Sequence, residues 1–407
     1  MPGPRLGRGP EQRGSGNRDT GTSRPSTRRG VTPMHAGTDA TGKPASILFA
    51  GGGSGGHISP GLAIAEAVRE LDGNATCCFA PSEREIDRSM LQQADEDFEP
   101  MPAKPLLRSV RGIAACWRGY RDTKIAAATL FESRRIDRVV ALGGFVSAPV
   151  VAAATAAGLP VLLLNLDRVP GRANRMVARR SNTVLSAVET IRHGTAWPAV
   201  GLPIRRAARA DGSPETTRVG FGLDPNRDTL LITGASQGAR TINELVPRIA
   251  ERLSGAMASW QVLHLCGDEQ LVETLQSRWD NSGVDARVRS FVHEMGDAWA
   301  SASLCISRAG ANSVAEAWAA AVPTVFLPYP HHRDNHQLHN AQPMVEAGGA
   351  VVIEDRRDPE STRHLLEPVL EQLLGSEDDR MRMHRCLVRE SPGNAAQKVA
   401  QAVLELA

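Results

Sequence analysis

His57, at the end of a glycine-rich turn, is the first residue of this sequence whose type and position could support chemistry. It follows Gly51-Gly52-Gly53-Ser54-Gly55-Gly56, and that turn follows an apolar run at 47–50 that is typical of a buried strand. Ser59 and Pro60 suit the N-cap and the first position of a helix. Because a strand, a glycine turn and a helix N-terminus leave backbone N–H groups pointing at an anion, the turn is predicted to approach a phosphate.

The position of His57 favours a neutral imidazole. The helix dipole disfavours the imidazolium and lowers its pKa, which suits a base near physiological pH, although a histidine that only hydrogen-bonds the loop backbone fits equally well. The glycines at 51, 53 and 56 also match the dinucleotide pattern G-x-G-x-x-G. The acidic residue that this pattern requires about 20 positions later has no counterpart, which argues against NAD.

A second strand–turn–helix junction lies at Thr233-Gly234-Ala235-Ser236-Gln237-Gly238-Ala239. Small residues let phosphate oxygens reach backbone N–H groups, and Ser236 adds a hydroxyl donor. One such turn in each half of the chain predicts a divided ligand, with a donor bound on one side and an acceptor on the other.

A third junction, from Ser307 to Glu316, allows two interpretations. Ser313 and Glu316 fit the S-x-x-E capping box, in which Glu316 reaches back to the amide of the N-cap residue. In the functional interpretation Glu316 accepts hydrogen bonds from two vicinal ribose hydroxyls. Sequence alone does not separate the two.

The stretch from Pro328 to Asn340 is a polar loop that runs into a helix and contains four histidines. No pair of them has the HExxH relation and no cysteine joins them, so a metal site is not expected. Gln337 and Asn340 share a helix face, which suits hydrogen bonding to sugar hydroxyls. Asp95-Glu96-Asp97 resembles a metal-binding DxD motif, but a solvated acidic run at a helix end explains it better.

These junctions require a scaffold of alternating strands and helices. Short apolar runs without polar alternation indicate strands buried on both faces, hence parallel sheets covered by helices. In the first half, strands are predicted near 47–50, 75–80, 136–141, 160–165 and 182–186, and helices near 60–71, 84–94, 110–134, 147–157 and 171–180. In the second half, strands are predicted near 229–233, 260–265, 286–290, 303–306, 323–327 and 350–353, and helices near 239–253, 268–279, 294–301, 313–320, 335–347 and 360–374.

The predicted fold class is therefore α/β, with two Rossmann-like, doubly wound domains in tandem and a cleft between the carboxyl ends of their sheets. The expected domains are 45–202 and 203–390, and the polar segment 206–228 is read as the connection. Two last helices, 378–389 and 394–406, follow. The chain from about 391 to 407 is expected to rejoin the first domain.

Charge and composition exclude some classes of protein. Residues 1–44 carry eight basic and three acidic residues, whereas the other 363 carry 39 basic and 42 acidic residues, so the folded part is not a basic nucleic-acid binder. The first 44 residues are rich in Gly, Pro, Ser, Thr and Arg and are expected to be disordered, with no secretory signal and with translation starting at Met34. The six cysteines show no metal spacing and are expected to be reduced core residues.

Two segments bear on membranes. The apolar stretch from Pro149 to Leu166 nears transmembrane length, but Gly158-Leu159-Pro160 interrupts it, so a helix, a turn and a buried strand are predicted. The segment 106–113 mixes apolar residues with arginines, and Trp117 and further basic residues follow. It suits either an anionic membrane surface or an ordinary helix with a solvated basic face.

Taken together, these stretches resemble the MurG family of glycosyltransferases. The similar pieces are AGGGSGGHISPGLAIA, LGGFVSAPV, GRANR, VGLPIR, TGASQGAR, HLCG, FVHEM, SRAGANSVAE and PYPHHRDNHQLHNA, in matching order over roughly residues 46–355. The resemblance implies a GT-B fold and inverting transfer of N-acetylglucosamine from UDP-N-acetylglucosamine (UDP-GlcNAc) to the muramyl C4 hydroxyl of lipid I, which gives lipid II. It implies no cofactor, no nucleic acid and a peripheral position on the cytoplasmic face of the plasma membrane.

The resemblance also implies roles for individual residues. Ser54, Gly55, Gly56 and His57 would face the acceptor diphosphate and the reacting centre. Arg205, Ser236 and the following amides of Gln237 and Gly238 would hold the donor diphosphate. Phe291 and Val292 would frame the uracil, and Glu316 would bind the ribose hydroxyls. Gln337 and His336 would read the GlcNAc hydroxyls, with Asn340 supporting their loop. The other substrate-binding residues that it implies are Asn174, Arg308, Gly310, Ala311 and Ser313.

The chain departs from the family pattern in two places. Leu164-Asn165-Leu166-Asp167 stands where the family reads His-Glu-Gln-Asn, and Leu202 replaces the Asn of VGNPVR. His57 is the first candidate base and Asp167 the second, because Asp167 supplies a carboxylate where the family has an amide. The alternatives are a GT-B transferase that uses UDP-GlcNAc on another lipid acceptor, and a paralogue that binds a UDP-sugar without turnover.

Overall fold

We analysed the chain as a computed structural model that describes residues 44–53, 56–107, 109–168, 170–190, 197–234, 240–330, 336–356, 358–391 and 393–406. Two sheets organise these residues, one of five strands and one of six, and all strand pairs in both are parallel. The prediction of an α/β fold with two doubly wound sheets is confirmed. Each sheet with its helices is called a lobe below.

The first lobe contains a sheet in the order β2-β1-β3-β4-β5. Its elements are β1 (Ser46–Gly51), α1 (Ile58–Leu71), β2 (Thr76–Ala80), α2 (Glu85–Gln93), α3 (Val110–Arg134), β3 (Arg138–Gly143), α4 (Gly144–Ala156), β4 (Val161–Asn165), α5 (Arg172–Ala178) and β5 (Thr183–Ser186). The stretch from Pro149 to Leu166 is the end of α4, a turn and β4, as predicted. Among the described residues, no helix is long and apolar enough to cross a membrane.

The second lobe contains a sheet in the order β11-β10-β9-β6-β7-β8. Its elements are α6 (Pro214–Gly220), β6 (Asp228–Thr233), α7 (Arg240–Arg252), α8 (Ser254–Met257), β7 (Trp260–Leu265), α9 (Val272–Ser282), β8 (Ala286–Arg289), α10 (Met295–Ser301), β9 (Leu304–Ser307), α11 (Ala311–Ala319), β10 (Thr324–Phe326), α12 (His336–Glu346), β11 (Ala350–Val352), α13 (Pro359–Gly375) and α14 (Glu377–Arg389). The last helix, α15 (Ala395–Leu404), lies elsewhere.

The pattern of β1 explains why its sheet is buried on both faces. Successive strand residues point to opposite faces, and both sets are apolar here. Ile47 and Phe49 join the core cluster that contains α1, whereas Leu48 and Ala50 join the cluster that contains α3 and α4. Burial of these side chains fixes the plane of the sheet and therefore the position of the turn that follows β1.

The C-terminal helix α15 packs on the first lobe. Val399 and Val403 belong to the same core cluster as α1. The buried side chain of Arg138 donates to the carbonyl oxygens of Val403 at 3.1 Å and Leu404 at 2.8 Å, which satisfies the end of the helix. Helix α14 differs, because its Leu387 lies in a core cluster of the second lobe.

The segment 206–228, read from sequence as a connection, contains more structure than predicted. Ser213 caps α6 by accepting from the backbone N–H of Thr216, and the helix packs on α10. Arg218 fastens it to the second lobe by donating to Ser301 O and Ser303 Oγ, both at 3.0 Å. The helix is short and draws its stability from these tertiary contacts, so its sequence carries little periodicity. The boundary at 202/203 stays a prediction.

Each sheet reverses its strand order at one point, and such points are where open α/β sheets bind ligands. In the first lobe this point lies between β1 and β3, beside the glycine turn. In the second lobe it lies between β6 and β9, the strands that lead into the other two predicted junctions. The strands before all three junctions therefore border a point at which a ligand is expected.

Polar contacts inside the second lobe centre on His264, which is fully buried in β7. Trp279 Nε1 donates to His264 Nδ1 at 3.0 Å, and His264 Nε2 lies 3.1 Å from Asn243 Oδ1. Because Nδ1 accepts, Nε2 carries the proton and donates to Asn243. Burial lowers the pKa of His264 to about 3, so the ring is neutral in the folded protein.

We predict that His264 makes the second lobe sensitive to acid. Its folded pKa lies below the ordinary 6.5, so its contribution to stability is complete above about pH 6.5 and is lost as the pH falls toward 3. Between pH 7 and pH 5 the wild type should lose about 2 kcal/mol more unfolding free energy than His264→Gln, which keeps an acceptor and a donor but does not titrate. Urea unfolding followed by tryptophan fluorescence measures this, and equal losses would contradict it.

Six cysteines are free, and four of them are buried: Cys77, Cys78, Cys266 and Cys305. Burial raises the pKa of the Cys77 thiol to about 12 and that of the Cys78 thiol to about 11. These thiols are inert core groups at neutral pH, as predicted. The same prediction is wrong for Cys116 and Cys386, which are only half-buried.

Candidate functional site

The glycine turn after β1 is held by side chains from α2 and the loop before it. Gly53 N donates to Asp87 Oδ2 at 2.6 Å, and the Arg84 guanidinium donates to Gly53 O. Gly52 has φ +150°, and a Cβ on it would lie 2.5 Å from Asp87 Oδ2. Only glycine fits this backbone without displacing the carboxyl group. The start of the turn is therefore a fixed element.

His57 follows this turn as the N-cap residue of α1. The prediction that Ser59 caps the helix is wrong, since α1 begins at Ile58 and the side chain of its N-cap residue makes no capping hydrogen bond. The helix starts two residues earlier than predicted because Ile58 is buried in the core of the lobe, which outweighs the local capping preference of Ser59. His57 thus stands directly at the positive end of the helix dipole.

Three neighbouring strands converge on His57. Gly143 ends β3 with φ +100°, and a Cβ there would meet Asn174 Oδ1 at 3.0 Å and His57 Cδ2 at 3.3 Å. Asn165, at the end of β4, accepts from Asn174 Nδ2 at 2.9 Å and donates to the backbone oxygen of Asp167 at 2.6 Å. The structure therefore brings His57, Asn174 and the loop bearing Asp167 to one edge of the sheet.

The electrostatic environment of His57 keeps the imidazole neutral. Burial lowers its pKa below the ordinary 6.5, while the negative charges of Asp167 and Asp87 act in the opposite direction. Asp167 itself is exposed to solvent. A neutral imidazole near two carboxylates can accept a proton and then be stabilised as the imidazolium.

In the second lobe, Glu316 lies on α11 and is half-buried. Burial of its carboxyl group raises the pKa to about 7, against the opposing effect of Trp299, whose Nε1 donates to Glu316 Oε2 at 3.1 Å. The capping box is absent: Gly310 is the N-cap residue, and Ser313 lies inside the helix. Ser313 and Glu316 have the three-residue spacing of such a box, but the helix begins two residues before Ser313, so Ser313 is not the N-cap residue.

Arg308, predicted to bind substrate, is buried in the second lobe. Its Nη1 donates to Asp355 Oδ2 and Leu327 O, both at 2.9 Å, and its guanidinium lies 5.8 Å from the centroid of the Tyr329 ring. The side chain joins the ends of neighbouring strands and carries a compensated charge. These contacts favour a positioning role over direct substrate contact, because the described donors of Nη1 are spent inside the lobe.

The other residues that were predicted to bind the sugar donor lie around the carboxyl end of the second sheet. Gln337 Oε1 accepts from Tyr329 N at 2.8 Å, and Asn340 Nδ2 donates to Ala309 O at 3.2 Å, so α12 is tied to the loop before α11. Gly310 and Ala311 begin that helix. Phe291 is 61% exposed, and Val292 packs on the core cluster beneath it.

Arg205 is held by the first lobe. Its Nε lies 3.1 Å from Glu66 Oε1 on α1, and the backbone N–H of Arg206 donates to Glu66 Oε2 at 2.7 Å. Ala315 of α11 also packs against the core cluster of the first lobe. These contacts join the two lobes near α1 and α11, the helices that carry His57 and Glu316.

Several predicted residues lie outside the described part of the chain, namely Ser54, Gly55, Ser236, Gln237 and Gly238. The same holds for the side chain of His336 and for residues 1–43. Gly56 is described and exposed. Within the described ranges, no group of three His, Cys, Asp or Glu residues could hold a metal ion, and the acidic run at 95–97 pairs with arginines, through Glu96 with Arg69 and Asp97 with Arg134.

Sequence reasoning missed two residues of this site. Asp87 looked like an ordinary acidic residue of a polar helix, and its only signal is that its helix contains a buried Leu91 one turn later. Asn165 was read as the loss of a family residue, yet its amide links β4, α5 and the Asp167 loop. Neither role has a local pattern, because both depend on contacts between distant segments.

Comparison with known proteins indicates one family for both lobes of the chain. Residues 47–186 match the glycosyltransferase family 28 N-terminal domain, and residues 229–402 match the glycosyltransferase family 28 C-terminal domain. A protein of Nocardioides sp., named UDP-N-acetylglucosamine–N-acetylmuramyl-(pentapeptide) pyrophosphoryl-undecaprenol N-acetylglucosamine transferase, is 36% identical over 88% of this chain and 98% of its own length. A Mycobacterium avium protein of the same name is 32% identical over 94% and 95%.

Solved structures agree on the fold. The crystal structure of Acinetobacter baumannii MurG superposes with a TM-score of 0.68 at 24% identity, covering 89% of this chain and all of that one. A UDP-GlcNAc 2-epimerase from Neisseria meningitidis gives 0.59 at 13% identity, over 88% of this chain and 100% of that one. The fold and the two domain matches agree with the named relatives, which this chain covers over nearly their whole length. The chain belongs to the MurG family of GT-B glycosyltransferases.

Proposed function

We propose that this protein transfers N-acetylglucosamine from UDP-GlcNAc to the C4 hydroxyl of the muramyl sugar of lipid I, forming lipid II. The observation that carries the proposal is the convergence of β1, β3 and β4 on a neutral histidine at an uncapped helix N-terminus. A second lobe bears a desolvated carboxyl group on α11. Relatives at 32–36% identity that carry the transferase name support the same reaction.

The first lobe supplies the acceptor side in this proposal. The side chain of the N-cap residue makes no capping hydrogen bond to α1, so the first N–H groups of the helix suit the diphosphate of a lipid-linked sugar. The turn is fixed by Asp87 and Arg84, and this holds His57 in place at the N-terminus of the helix. Ser54 and Gly55 would complete this side by resemblance to the family.

The second lobe supplies the donor side. Glu316 would accept hydrogen bonds from the ribose hydroxyls, and the exposed ring of Phe291 would lie against the uracil. Gln337 and His336 would contact the GlcNAc hydroxyls, with Asn340 and Arg308 fixing their loop. Ser236, the following amides and Arg205 would bind the donor diphosphate; for Arg205 this requires release from Glu66.

The mechanism follows from the neutral state of His57. The imidazole removes the proton of the acceptor C4 hydroxyl while that oxygen attacks the anomeric carbon, and the bond from that carbon to the UDP oxygen breaks with inversion. Backbone N–H groups and cationic side chains stabilise the charge that develops on the leaving diphosphate. The positive charge gained by His57 is offset by Asp167 and Asp87.

Asp167 is the second candidate for the base. Its carboxylate is exposed and lies in the loop that Asn165 holds at the edge of β4. In the preferred arrangement Asp167 stabilises the imidazolium of His57 and does not receive the proton itself. This division of roles explains why a carboxylate is tolerated where the family has an amide.

Two experiments in sequence test the function. UDP-GlcNAc is first titrated by calorimetry, and UDP release is then assayed with and without lipid I. Release that requires lipid I supports the proposal. Binding without any acceptor-dependent release would favour a non-catalytic paralogue, and release only with a different polyprenyl-linked acceptor would favour the other transferase.

We further propose that the enzyme works as a peripheral protein on the cytoplasmic face of the plasma membrane, with α3 as its contact. On α3, Val110 is 86% exposed and Trp117 73%, and Leu106 in the loop before the helix is 65% exposed. This apolar surface is unusual for a helix that also carries Arg118 and Lys124. Apolar side chains among basic ones suit the boundary between acyl chains and anionic headgroups.

Trp117→Ala should weaken binding to vesicles of phosphatidylglycerol by about tenfold, since it removes the largest apolar side chain of the surface. Vesicle co-sedimentation at low and at high salt measures this, and wild-type binding should fall with salt. Val388→Ala, exposed on α14 away from this surface, is the control. Equal losses in the two variants would contradict the assignment of α3.

A further inference from the structure

Asp87 is a buried acidic side chain beside the turn that leads to His57. It lies on α2 and has no exposed surface. A buried carboxyl group is costly unless several donors satisfy it, so its partners indicate what it does. Two of those partners, Gly53 and Ser82, lie outside its own helix.

Two hydrogen bonds of Asp87 join the glycine turn to the loop before α2. Oδ2 accepts from Gly53 N at 2.6 Å and from Ser82 Oγ at 2.5 Å. The same oxygen lies 2.5 Å from the position that a Cβ of Gly52 would take. One carboxyl group therefore fixes the turn at Gly53, four residues before His57, against the loop that contains Ser82.

Charged groups face His57 from several elements. Asp167 approaches from the loop after β4 and Asp87 from α2, and both raise the pKa of the imidazole against the effect of burial. Asn174 from α5 is neutral, and the Arg84 guanidinium is held at Gly53 O and near the Phe145 ring. Asp167 is the stronger of the two acidic influences, but it is exposed, whereas the charge of Asp87 is shielded from solvent.

We propose that Asp87 is a positioning residue that fixes the turn bearing His57 and holds a negative charge against its imidazole. One carboxyl group thereby couples the geometry of the acceptor turn to the protonation of the base. Because Gly53 N and the charge both depend on it, no neutral side chain can replace it fully. This inference rests on the proposed function through His57.

Titration of His57 by NMR, in protein labelled at histidine Cε1, tests the electrostatic part without turnover. His57→Gln identifies the resonance. In Asp87→Asn the pKa of His57 should fall by about one pH unit, because a buried carboxylate is lost. Glu83→Gln, an exposed neighbour that pairs with Lys104, should leave the titration unchanged. An unchanged pKa in Asp87→Asn would overturn the proposal.

Turnover with lipid I tests the positioning part. Asp87→Asn should lower kcat by about 10- to 100-fold with little change in KM for UDP-GlcNAc, and should move the acidic limb of kcat/KM to lower pH. A purely structural residue would lower activity without moving that limb. If lipid I is not a substrate while the NMR shift is present, the proposed function fails and the electrostatic role of Asp87 stands.

Asp87→Glu carries the test if Asp87→Asn does not fold. It keeps the charge but moves the carboxylate by one methylene away from the alignment with Gly53 N. The pKa of His57 should then stay near that of the wild type while kcat falls. Wild-type kcat in Asp87→Glu would overturn the positioning role.

Discussion

Replacing His57 by alanine is expected to lower kcat with lipid I by about 10²- to 10⁴-fold, which is what a positioned general base contributes. UDP-GlcNAc binding should stay within about twofold, because His57 lies on the first lobe and the donor is assigned to the second. The measurement is UDP release at saturating donor and acceptor. Calorimetry with UDP-GlcNAc verifies that the variant keeps a folded donor site.

Asp167→Asn is the matched comparison for His57→Ala. It restores the amide of the family at this position, so kcat should fall by about tenfold at most, with a shift of the acidic limb of kcat/KM to lower pH, because Asp167 no longer raises the pKa of His57. Full turnover in His57→Ala together with a large loss in Asp167→Asn would reverse the two roles.

The dependence of the rate on pH tests whether His57 is the base. Burial lowers the pKa of the imidazole below 6.5, so the base is neutral at neutral pH. The value of kcat/KM for lipid I, measured with UDP-GlcNAc saturating at every pH, should therefore be level there. Activity should fall only as the pH drops below that pKa. A limb centred well above 6.5 would point to a different base.

Replacing Glu316 by alanine is expected to weaken UDP-GlcNAc binding by about 10- to 100-fold, the effect of losing hydrogen bonds to a charged group. Glu316→Gln should have a smaller effect, because its side-chain oxygen can still accept from Trp299 Nε1. Calorimetric titration with UDP-GlcNAc measures both. Wild-type affinity in Glu316→Ala would remove Glu316 from the donor site.

The pH dependence of binding tests the same residue independently. The free carboxyl group has a pKa of about 7, and ribose hydroxyls donating to the carboxylate would lower it in the complex. A proton therefore competes with the donor, and affinity should fall by up to about tenfold per pH unit below 7. Glu316→Gln should bind with the same affinity from pH 6 to pH 8. UDP-GlcNAc suits this test because its diphosphate has no terminal phosphate that titrates in that range.

The scaffold of this protein could be predicted well because burial leaves a strong local signal. Every strand of both sheets overlaps a predicted strand, although β8 (ARVR) alternates apolar residues with arginines, and α3 spans the predicted residues. The helix α6 could not be predicted, because it is short and polar and depends on its packing against α10. The start of α1 was missed for a related reason: the core contact of Ile58 outweighs the preference of Ser59.

The candidate site could be predicted only in part. His57, Glu316 and Asn340 follow from their place after strands or on a helix face, and the structure places them at sheet edges where ligands are expected. Asp87 and the Asn165–Asn174 pair could not be predicted, since their partners are distant in sequence or outside any motif. The role of Arg308 stays a prediction, because an arginine beside a turn has the same sequence signature whether it faces a ligand or pairs with Asp355, as it does here.

The most direct test of the central claim is product analysis with UDP-GlcNAc labelled with ¹³C at the anomeric carbon. With purified lipid I, we expect the label in one new β-linked disaccharide on the diphospholipid, formed in a 1:1 ratio with UDP and absent in His57→Ala. Label recovered as free GlcNAc, as an epimerised UDP-sugar, or as unchanged donor in the presence of lipid I would contradict the account.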